Sequence, residues 1–214
     1  MSAVRVKICG LSTEATLDAA LDAGADLVGF VHFPRSPRHV ALERGAVLSD
    51  RARGRAERVV LLVDPDDRLV DAAVEALDPD LLQLHGHESP ARAAAVAART
   101  GRPVMKALGV ADRGDLAGVG AYAEAGLRLL LDAKAPAGAD LPGGNGCAFD
   151  WDLLRGIALP PGTMLSGGLT PETVAGALAR TGLAAVDVSS GVERKPGEKD
   201  PDRIAAFVAA ARGS

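Results

Sequence analysis

Short apolar runs alternate with longer helical stretches along the whole chain, and this alternation limits the possible folds more than any other feature. The runs lie at residues 4–8, 26–31, 58–63, 80–84, 103–108, 127–131, 162–165 and 184–188. Their length and composition are typical of buried strands. Strands that alternate with helices form parallel sheets with right-handed crossovers. Eight such units therefore predict an α/β fold, a closed (β/α)8 TIM barrel.

Helical periodicity fills most of the spaces between the runs. The clearest case is 67–77, where apolar residues recur at spacings of three and four. Ser89-Pro90, Thr170-Pro171 and Asp200-Pro201 are typical of an N-cap followed by a first helical residue. The predicted helices are 13–22, 67–77, 89–99, 112–123, 171–179 and 201–211.

An open doubly wound sheet is the alternative arrangement of the same elements. Its phosphate-binding loop would follow the first strand, but Cys9-Gly10-Leu11-Ser12 does not match GxGxxG, and no GxxxxGK occurs. Composition does not shift along the 214 residues, so we expect one domain over residues 1–214.

Charge and composition exclude several classes of function. The formal net charge of −4 argues against general attraction to nucleic acid. No apolar stretch approaches the roughly 20 residues of a membrane span, and the N-terminal residues do not resemble a signal peptide. Two cysteines are too few for a disulfide framework, so we expect a cytoplasmic protein with reduced thiols.

Alternation within the runs predicts which side chains point into the barrel. In the first run, Val6 and Ile8 share one face, and Lys7 and Cys9 share the other. A barrel interior is usually filled by branched apolar residues, so inward charges need partners or serve a site. An internal ion-pair network and a functional site both remain open. The polar side chains predicted to point inward are Arg5, Lys7, Gln83, His85, Lys106 and Asp187.

Cys9 and Asp132 end the first and sixth predicted strands, at the rim where barrel enzymes hold their active sites. Cys9 alone is more often a small buried apolar residue. Asp132 alone could be a helix cap or a solvated loop residue. A thiol and a carboxylate that meet at one barrel mouth would form a plausible base and acid.

Two glycine-rich segments, at 165–171 and 187–193, follow the seventh and eighth strands. Phosphate sites of these barrels are often built there, because backbone N–H groups can approach the anion. Ordinary turn chemistry is the alternative explanation.

Two further segments carry weaker signals. His85-Gly86-His87-Glu88 has loose spacing for metal ligands, and we predict no metal site. Residues 136–148 are glycine-rich and are interpreted either as a mobile lid over the barrel mouth or as a passive linker.

Seven segments, taken together, resemble the phosphoribosylanthranilate isomerase family. They occur in the family's order and span almost the whole chain. The segments are KICG at 7–10, FPRSPR at 33–38, LQLHG at 82–86, LD at 131–132 before Lys134, GGNG at 143–146 before FDW at 149–151, LSGGL at 165–169 and DVSSGVE at 187–193.

The resemblance implies a cofactor-free Amadori rearrangement of a small phosphorylated substrate. By position it implies Cys9 as general base, Asp132 as general acid and Arg38 as the partner of the anthranilate carboxylate. Gly168, Ser190 and Gly191 match the segments that hold the phosphate, and Lys7 and His85 are assigned supporting roles. The chain departs from the family pattern at His32, Pro37, Ala133 and Ala135, which affects fine geometry.

The implied mechanism requires a thiolate and a protonated carboxyl in one pocket. The ordinary pKa values, about 8.5 for Cys and about 3.9 for Asp, instead favour a neutral thiol and an ionised carboxylate at neutral pH. We expect Lys7 to lower the pKa of Cys9, and burial beside a thiolate to raise the pKa of Asp132.

Two other functions remain as alternatives, and the sequence leaves the choice between monomer and homodimer open. The histidine-pathway ribotide isomerase is a similar barrel, but it typically uses two aspartates, and the first strand here ends in Cys9. A noncatalytic barrel that binds a phosphorylated ligand would not need both Cys9 and Asp132.

Overall fold

Eight parallel strands close into a barrel in chain order, as predicted. The computed structural model describes residues 4–135, 138, 141, 143–144, 146 and 148–213. Every predicted run contains a strand, and no boundary differs by more than two residues. The strands are β1 (Arg5–Cys9), β2 (Leu27–Val31), β3 (Glu57–Leu62), β4 (Leu81–Leu84), β5 (Val104–Val110), β6 (Arg128–Ala133), β7 (Met164–Leu165) and β8 (Ala185–Val188).

α-Helices surround this barrel, and one of them was not predicted. Helix α2 buries Gly45, Leu48, Ser49 and Ala52, a face of mostly small residues. Its Ser49 hydroxyl donates to the carbonyl of Leu77, 2.6 Å away. The helices are α1 (Glu14–Asp22), α2 (Leu42–Ala52), α3 (Asp67–Leu77), α4 (Pro90–Thr100), α5 (Val119–Glu124), α6 (Val174–Thr181) and α7 (Pro201–Arg212).

Two of the three predicted N-caps are confirmed. The side chains of Ser89 and Asp200 cap α4 and α7. The prediction of Thr170-Pro171 as a helix start is wrong, because residues 170–173 form a turn and α6 begins at Val174. In that turn the backbone N–H groups of Thr173 and Val174 both donate to the carbonyl of Thr170, and the turn leads into the helix.

Short 3-10 helices replace regular helix around the sixth strand. The predicted helix 112–123 is a 3-10 helix at Arg113–Gly118 followed by α5. Beyond β6, a 3-10 helix at Trp151–Leu154 packs against α6. In the described part of the chain, no helix is long and apolar enough to cross a membrane.

The core has two main parts, one between the barrel and the helices and one inside the barrel, and a small third cluster of Cys9, Val31 and Leu61 lies at the cavity. Val6 and Ile8 belong to the outer part, as their strand alternation predicts. Burying one such side chain contributes roughly 1.5–3 kcal/mol. The inner part closes the lower barrel, so polar inward side chains lie above it. Its members are Leu27, Val59, Leu81, Met105, Ala107, Leu130, Met164 and Ala185.

The prediction for Lys106 is wrong. Lys106 alternates with Met105 and Ala107, which point inward, so its own side chain leaves the barrel interior. Its ammonium donates to the carbonyls of Gly86 and Ala107 at 2.8 and 2.7 Å and lies 3.1 Å from the Glu88 carboxylate. Arg5, by contrast, faces inward as predicted, because its neighbour across the β1–β8 pairing, Ala185, belongs to the inner part of the core. It is half exposed at the amino-terminal end of the barrel and pairs with Glu57 at 2.7 Å, and Glu57 also pairs with Arg128.

A short antiparallel hairpin follows β8, formed by β9 (Glu193–Lys195) and β10 (Glu198–Lys199). No sequence signal predicted it. Glu193 and Lys199 are buried, whereas Lys195 and Glu198 are exposed. The hairpin therefore carries two charged side chains from the chain surface into the barrel mouth.

Candidate active site

A cavity opens at the carboxyl ends of the strands and encloses about 760 Å³, part of it open to solvent. Most of the predicted site residues line it. Those that do are Cys9, Arg38, His85, Asp132, Gly168 and Ser190. Lys7 is fully buried below the cavity, and Gly191 is not part of its lining.

Cys9 ends β1 above a buried ion pair. The ammonium of Lys7 lies 2.7 Å from Oδ1 of Asp187, its neighbour across the β1–β8 pairing. The hydroxyl of Ser166 donates to Oδ2 of Asp187 at 3.1 Å. The predicted internal ion pair is thus confirmed for Lys7 and Asp187. Gly29 lies opposite Cys9 on β2, and a side chain there would meet both Sγ of Cys9 and Cε of Lys7.

The environment of Cys9 raises the pKa of its thiol, in contrast to our expectation of a lowered value. Burial is the largest cause, because it disfavours the charged thiolate. The positive charge of Lys7 lowers the pKa, as expected, but does not outweigh burial, and Asp187 raises it further. Burial lowers the pKa of Lys7 itself, but Asp187 and Cys9 outweigh it, so the net shift is upward and Lys7 is a cation at neutral pH.

Asp132 is the penultimate residue of β6, and His85, which follows β4, contacts it across the cavity lining. Nε2 of His85 lies 3.2 Å from Oδ2 of Asp132. Nδ1 of His85 lies 3.1 Å from the amide nitrogen of Gln83, which can only donate. In this hydrogen-bond assignment the neutral ring carries its proton on Nε2 and donates it to Asp132. Oδ1 of Asp132 accepts from the backbone N–H of Ala133 at 2.9 Å.

Arg38 enters the cavity from the segment between β2 and α2 and is almost completely buried. Its Nε and Nη2 donate to the two carboxylate oxygens of Glu193, at 2.8 and 2.9 Å. Lys199 donates to the same carboxylate at 2.7 Å and to the carbonyl of Ser189 at 2.9 Å. Burial raises the pKa of Glu193, but Arg38 and Lys199 outweigh it, and the net shift is downward. Burial lowers the pKa of Lys199 to about 8.

The two glycine-rich segments border the cavity next to each other. Gly168 and Ser190 line it, so the phosphate-binding prediction for these two residues has the required position. Gly191 packs closely against the first segment, and a Cβ there would lie 1.8 Å from the carbonyl oxygen of Leu169. Glycine is therefore required at 191 for close backbone packing between the two segments.

The two histidines that follow β4 do not lie at one site. His85 lines the cavity, whereas the side chain of His87 is 93% exposed and pairs with Asp64 at 3.0 Å. Among the residues that the structure describes, no three His, Cys, Asp or Glu side chains are grouped as metal ligands.

The predicted lid at 136–148 lies largely outside the described residues, and Cys147 lies outside them too. Gly143 and Gly144 are described and lie against the site. A Cβ on Gly143 would approach Nε2 of His85 to 2.5 Å and Oδ2 of Asp132 to 2.6 Å. The carbonyl of Gly144 accepts from Nη2 of Arg38 at 3.2 Å.

Sequence reasoning missed four polar residues of the site: Gln83, Ser166, Glu193 and Lys199. Strand alternation placed Gln83 inside the barrel, but nothing indicated its bond to His85. Ser166 and Glu193 stand in recognised segments without an assigned role. Lys199 gave no signal, because its partners are brought together only by the hairpin.

Comparison with known proteins identifies relatives over the full length. A family model described as N-(5'phosphoribosyl)anthranilate (PRA) isomerase matches residues 6–210. An N-(5'-phosphoribosyl)anthranilate isomerase of Azorhizobium caulinodans is 59% identical over 99% of this chain and 93% of its own. One from Rhodopseudomonas palustris is 58% identical over 98% of this chain and 96% of its own.

Solved structures agree with the sequence comparison. Phosphoribosyl anthranilate isomerase from Thermotoga maritima superposes with a TM-score of 0.88 at 35% identity, covering 99% of this chain and all of the other. A further structure, with a TM-score of 0.84 and 33% identity over 99% of this chain and all of the other, is a phosphoribosyl anthranilate isomerase in complex with reduced 1-(o-carboxyphenylamino)-1-deoxyribulose 5-phosphate.

Proposed function

The chain belongs to the N-(5'-phosphoribosyl)anthranilate isomerase family, and we propose that Cys9 and Asp132 are the base and the acid of its reaction. The enzyme is an aldose–ketose isomerase of tryptophan biosynthesis. It converts phosphoribosylanthranilate into 1-(2-carboxyphenylamino)-1-deoxyribulose 5-phosphate. The alternatives, a histidine-pathway isomerase and a noncatalytic binding barrel, find no support among the relatives.

The reaction needs one proton donated and one removed at neighbouring positions of the sugar. Protonated Asp132 gives its proton to the ring oxygen, the C1–O bond breaks, and the sugar opens to an iminium. The thiolate of Cys9 then removes the proton from C2, which gives an enolamine. Tautomerisation moves one proton overall from the C2 hydroxyl to C1 and leaves the ketone.

The observation that carries this proposal is that Cys9 and Asp132 line one cavity from different strands. β1 and β6 are separated by β7 and β8 around the closed barrel, so the two groups approach a bound sugar from different sides. Each is almost completely buried, which excludes bulk water from the proton transfers.

Binding of the two anionic ends of the substrate is assigned to two groups of rim residues. We place the phosphate at Gly168, Ser190 and Gly191, where Gly168 and Ser190 border the cavity and Gly191 contributes through its backbone. We place the anthranilate carboxylate at Arg38. Lys7 supports the base from below, and His85 supports the acid by its hydrogen bond. The residues present complete the proton transfers without a cofactor or metal.

A direct assay tests the proposed function. The purified chain is mixed with phosphoribosylanthranilate, and loss of substrate fluorescence is followed together with formation of the carboxyphenylamino ketose. We expect turnover that survives extensive dialysis against a chelator. Absence of turnover with this substrate would refute the proposal, and loss on chelation with recovery on adding a divalent ion would revive a metal role for His85 and His87.

We further propose that residues 1–214 form one domain that acts as a monomer in the cytoplasm. A relative from Thermotoga maritima is described as dimeric, with monomers generated from it. Homodimer interfaces are rich in apolar side chains. Here Val47 is the only large apolar side chain that is well exposed within the described ranges. Analytical sedimentation would test whether the protein is a monomer in solution. The reducing conditions of the cytoplasm would keep the catalytic thiol reduced.

A further inference from the structure

Arg38 is held by the protein along one edge of its guanidinium group. The Nε and Nη2 donors form a two-pronged ion pair with Glu193, at 2.8 and 2.9 Å. This geometry fixes the plane of the guanidinium, because both bonds lie in that plane. Arg38 is 5% exposed and Glu193 9% exposed, so water competes little with the pair.

Glu193 is itself fixed from its other side. Oε1 of Glu193 accepts from Lys199 at 2.7 Å, and Lys199 donates in addition to the carbonyl and hydroxyl of Ser189, at 2.9 and 3.1 Å. The hydroxyl of Ser189 donates to the carbonyl of Cys9 at 3.1 Å. Arg38, Glu193 and Lys199, here named the hairpin cluster, thus form a chain of contacts from the guanidinium to the strand end that carries the thiol.

The charges of the hairpin cluster do not cancel. Arg38 and Lys199 are cations and Glu193 is an anion, so the buried cluster carries one net positive charge when all three are ionised. A buried net charge is unfavourable unless a counterion compensates it. One carboxylate placed at Arg38 would bring the charge of the cluster to zero.

We infer that Glu193 is a positioning residue, which orients Arg38 for the substrate carboxylate and acts on the reaction only through Arg38. Lys199 anchors Glu193 to the segment that precedes Ser190. The β9–β10 hairpin is then part of the site, and its length sets where the carboxylate-binding guanidinium lies. This inference rests on the proposed role of Arg38 in binding the anthranilate carboxylate.

Two inhibitors that differ by one group give the test. The first is the reduced product analogue, which carries the carboxylate, and the second is the same compound with a phenyl ring in place of the carboxyphenyl ring. Both have the phosphate and the reduced sugar. Their inhibition constants are measured on the wild-type enzyme and on the Glu193→Gln and Arg38→Ala variants.

Glu193→Gln should weaken binding of the carboxylate compound roughly 10-fold, because the guanidinium loses two charge-assisted bonds. Binding of the phenyl compound should stay within about 2-fold, and KM should change more than kcat. The control is Glu198→Gln, on the same hairpin, where an exposed pair with Lys195 at 2.9 Å is lost. The control should leave both constants at their wild-type values.

Equal weakening of both compounds by Glu193→Gln would overturn the inference, since Glu193 would then act only on overall structure. Tighter binding of the carboxylate compound would overturn it too, because Glu193 would then compete with the ligand for Arg38. If Arg38→Ala changes the inhibition constants of the two compounds by the same factor, the proposed role of Arg38 in carboxylate binding is refuted. If Glu193→Gln does not fold by circular dichroism, Glu193→Asp, which keeps the charge but is one methylene shorter, takes its place and should show the same selective loss at smaller size.

Discussion

The ammonium of Lys7 lies 2.7 Å from Oδ1 of Asp187, buried within the barrel next to the thiol of Cys9. The two members of this pair act in opposite directions on the thiol, because Lys7 lowers the pKa of Cys9 and Asp187 raises it. Burial is stronger than either, and the net pKa lies above that of an ordinary cysteine. The structure therefore holds the proposed base mainly in its thiol form at neutral pH.

Cys9→Ala should abolish measurable turnover, since it removes the proposed base. The change deletes one sulfur atom at a strand end, so we expect folding and thermal stability close to wild type. Cys147→Ala is the control and should keep near-wild-type activity. Turnover is measured by substrate fluorescence. Equal activities of the two variants would show that Cys9 is a buried core residue without a catalytic role.

The pH profile of kcat/KM should rise toward alkaline pH as Cys9 loses its proton. A thiol whose pKa is raised becomes reactive only above the ordinary cysteine value, about 8.5. Lys7→Met removes a group that lowers this pKa and should move the rise to higher pH. Asp187→Asn removes a group that raises it and should move the rise to lower pH.

Folding must be checked for both variants, because loss of one partner of a buried ion pair typically costs about 3–5 kcal/mol. Circular dichroism at each pH gives this control. Lys199 also lowers the pKa of Cys9 but is tied to Glu193, so it is left unchanged. Shifts in the same direction for both variants would contradict the assignment of Cys9 to this part of the profile.

Arg38→Ala should raise KM far more than it lowers kcat, because it removes the proposed partner of the carboxylate. A charge-assisted hydrogen bond of this kind contributes about 1.5–3 kcal/mol. Arg38→Lys should restore only part of the loss, since an ammonium cannot pair with Glu193 through two parallel bonds. Steady-state kinetics measure both, and an unchanged KM in the two variants would remove Arg38 from the site.

The alternation of strands with helices was enough to predict the barrel. The alternation of side chains within each strand predicted most of those that point inward. Lys7, Gln83, His85 and Asp187 all point inward because the opposite face of each strand is clearly apolar. The same reasoning failed for Lys106, since both faces of β5 carry apolar residues and the pattern gives no direction. The structure shows that the ammonium of Lys106 is satisfied by Glu88 and the carbonyl of Gly86 in the loop after β4 and by the carbonyl of Ala107.

The hairpin beyond β8 could not be predicted for a different reason. Residues 193–199 are mostly charged and include Pro196 and Gly197, a composition typical of an exposed loop. Glu193 and Lys199 are buried because Arg38, 155 residues from Glu193, reaches them from another part of the barrel. The pKa of Cys9 likewise depends on how deeply the thiol is buried, which cannot be read from the sequence.

Gly143→Ala should lower activity strongly while leaving the barrel folded. Gly143 has no positive φ, so alanine is compatible with its backbone, but the added Cβ would lie 2.6 Å from Oδ2 of Asp132 and 2.5 Å from Nε2 of His85. Either the segment moves outward or the acid and its histidine separate, and both disturb proton transfer to the sugar. We expect kcat to fall at least about 10-fold, because small displacements of reacting groups have large kinetic effects. Gly120→Ala, where a Cβ meets no atom within 4 Å, is the control and should behave as wild type. Full activity of Gly143→Ala, measured by substrate fluorescence, would show that this segment does not lie on Asp132 during turnover.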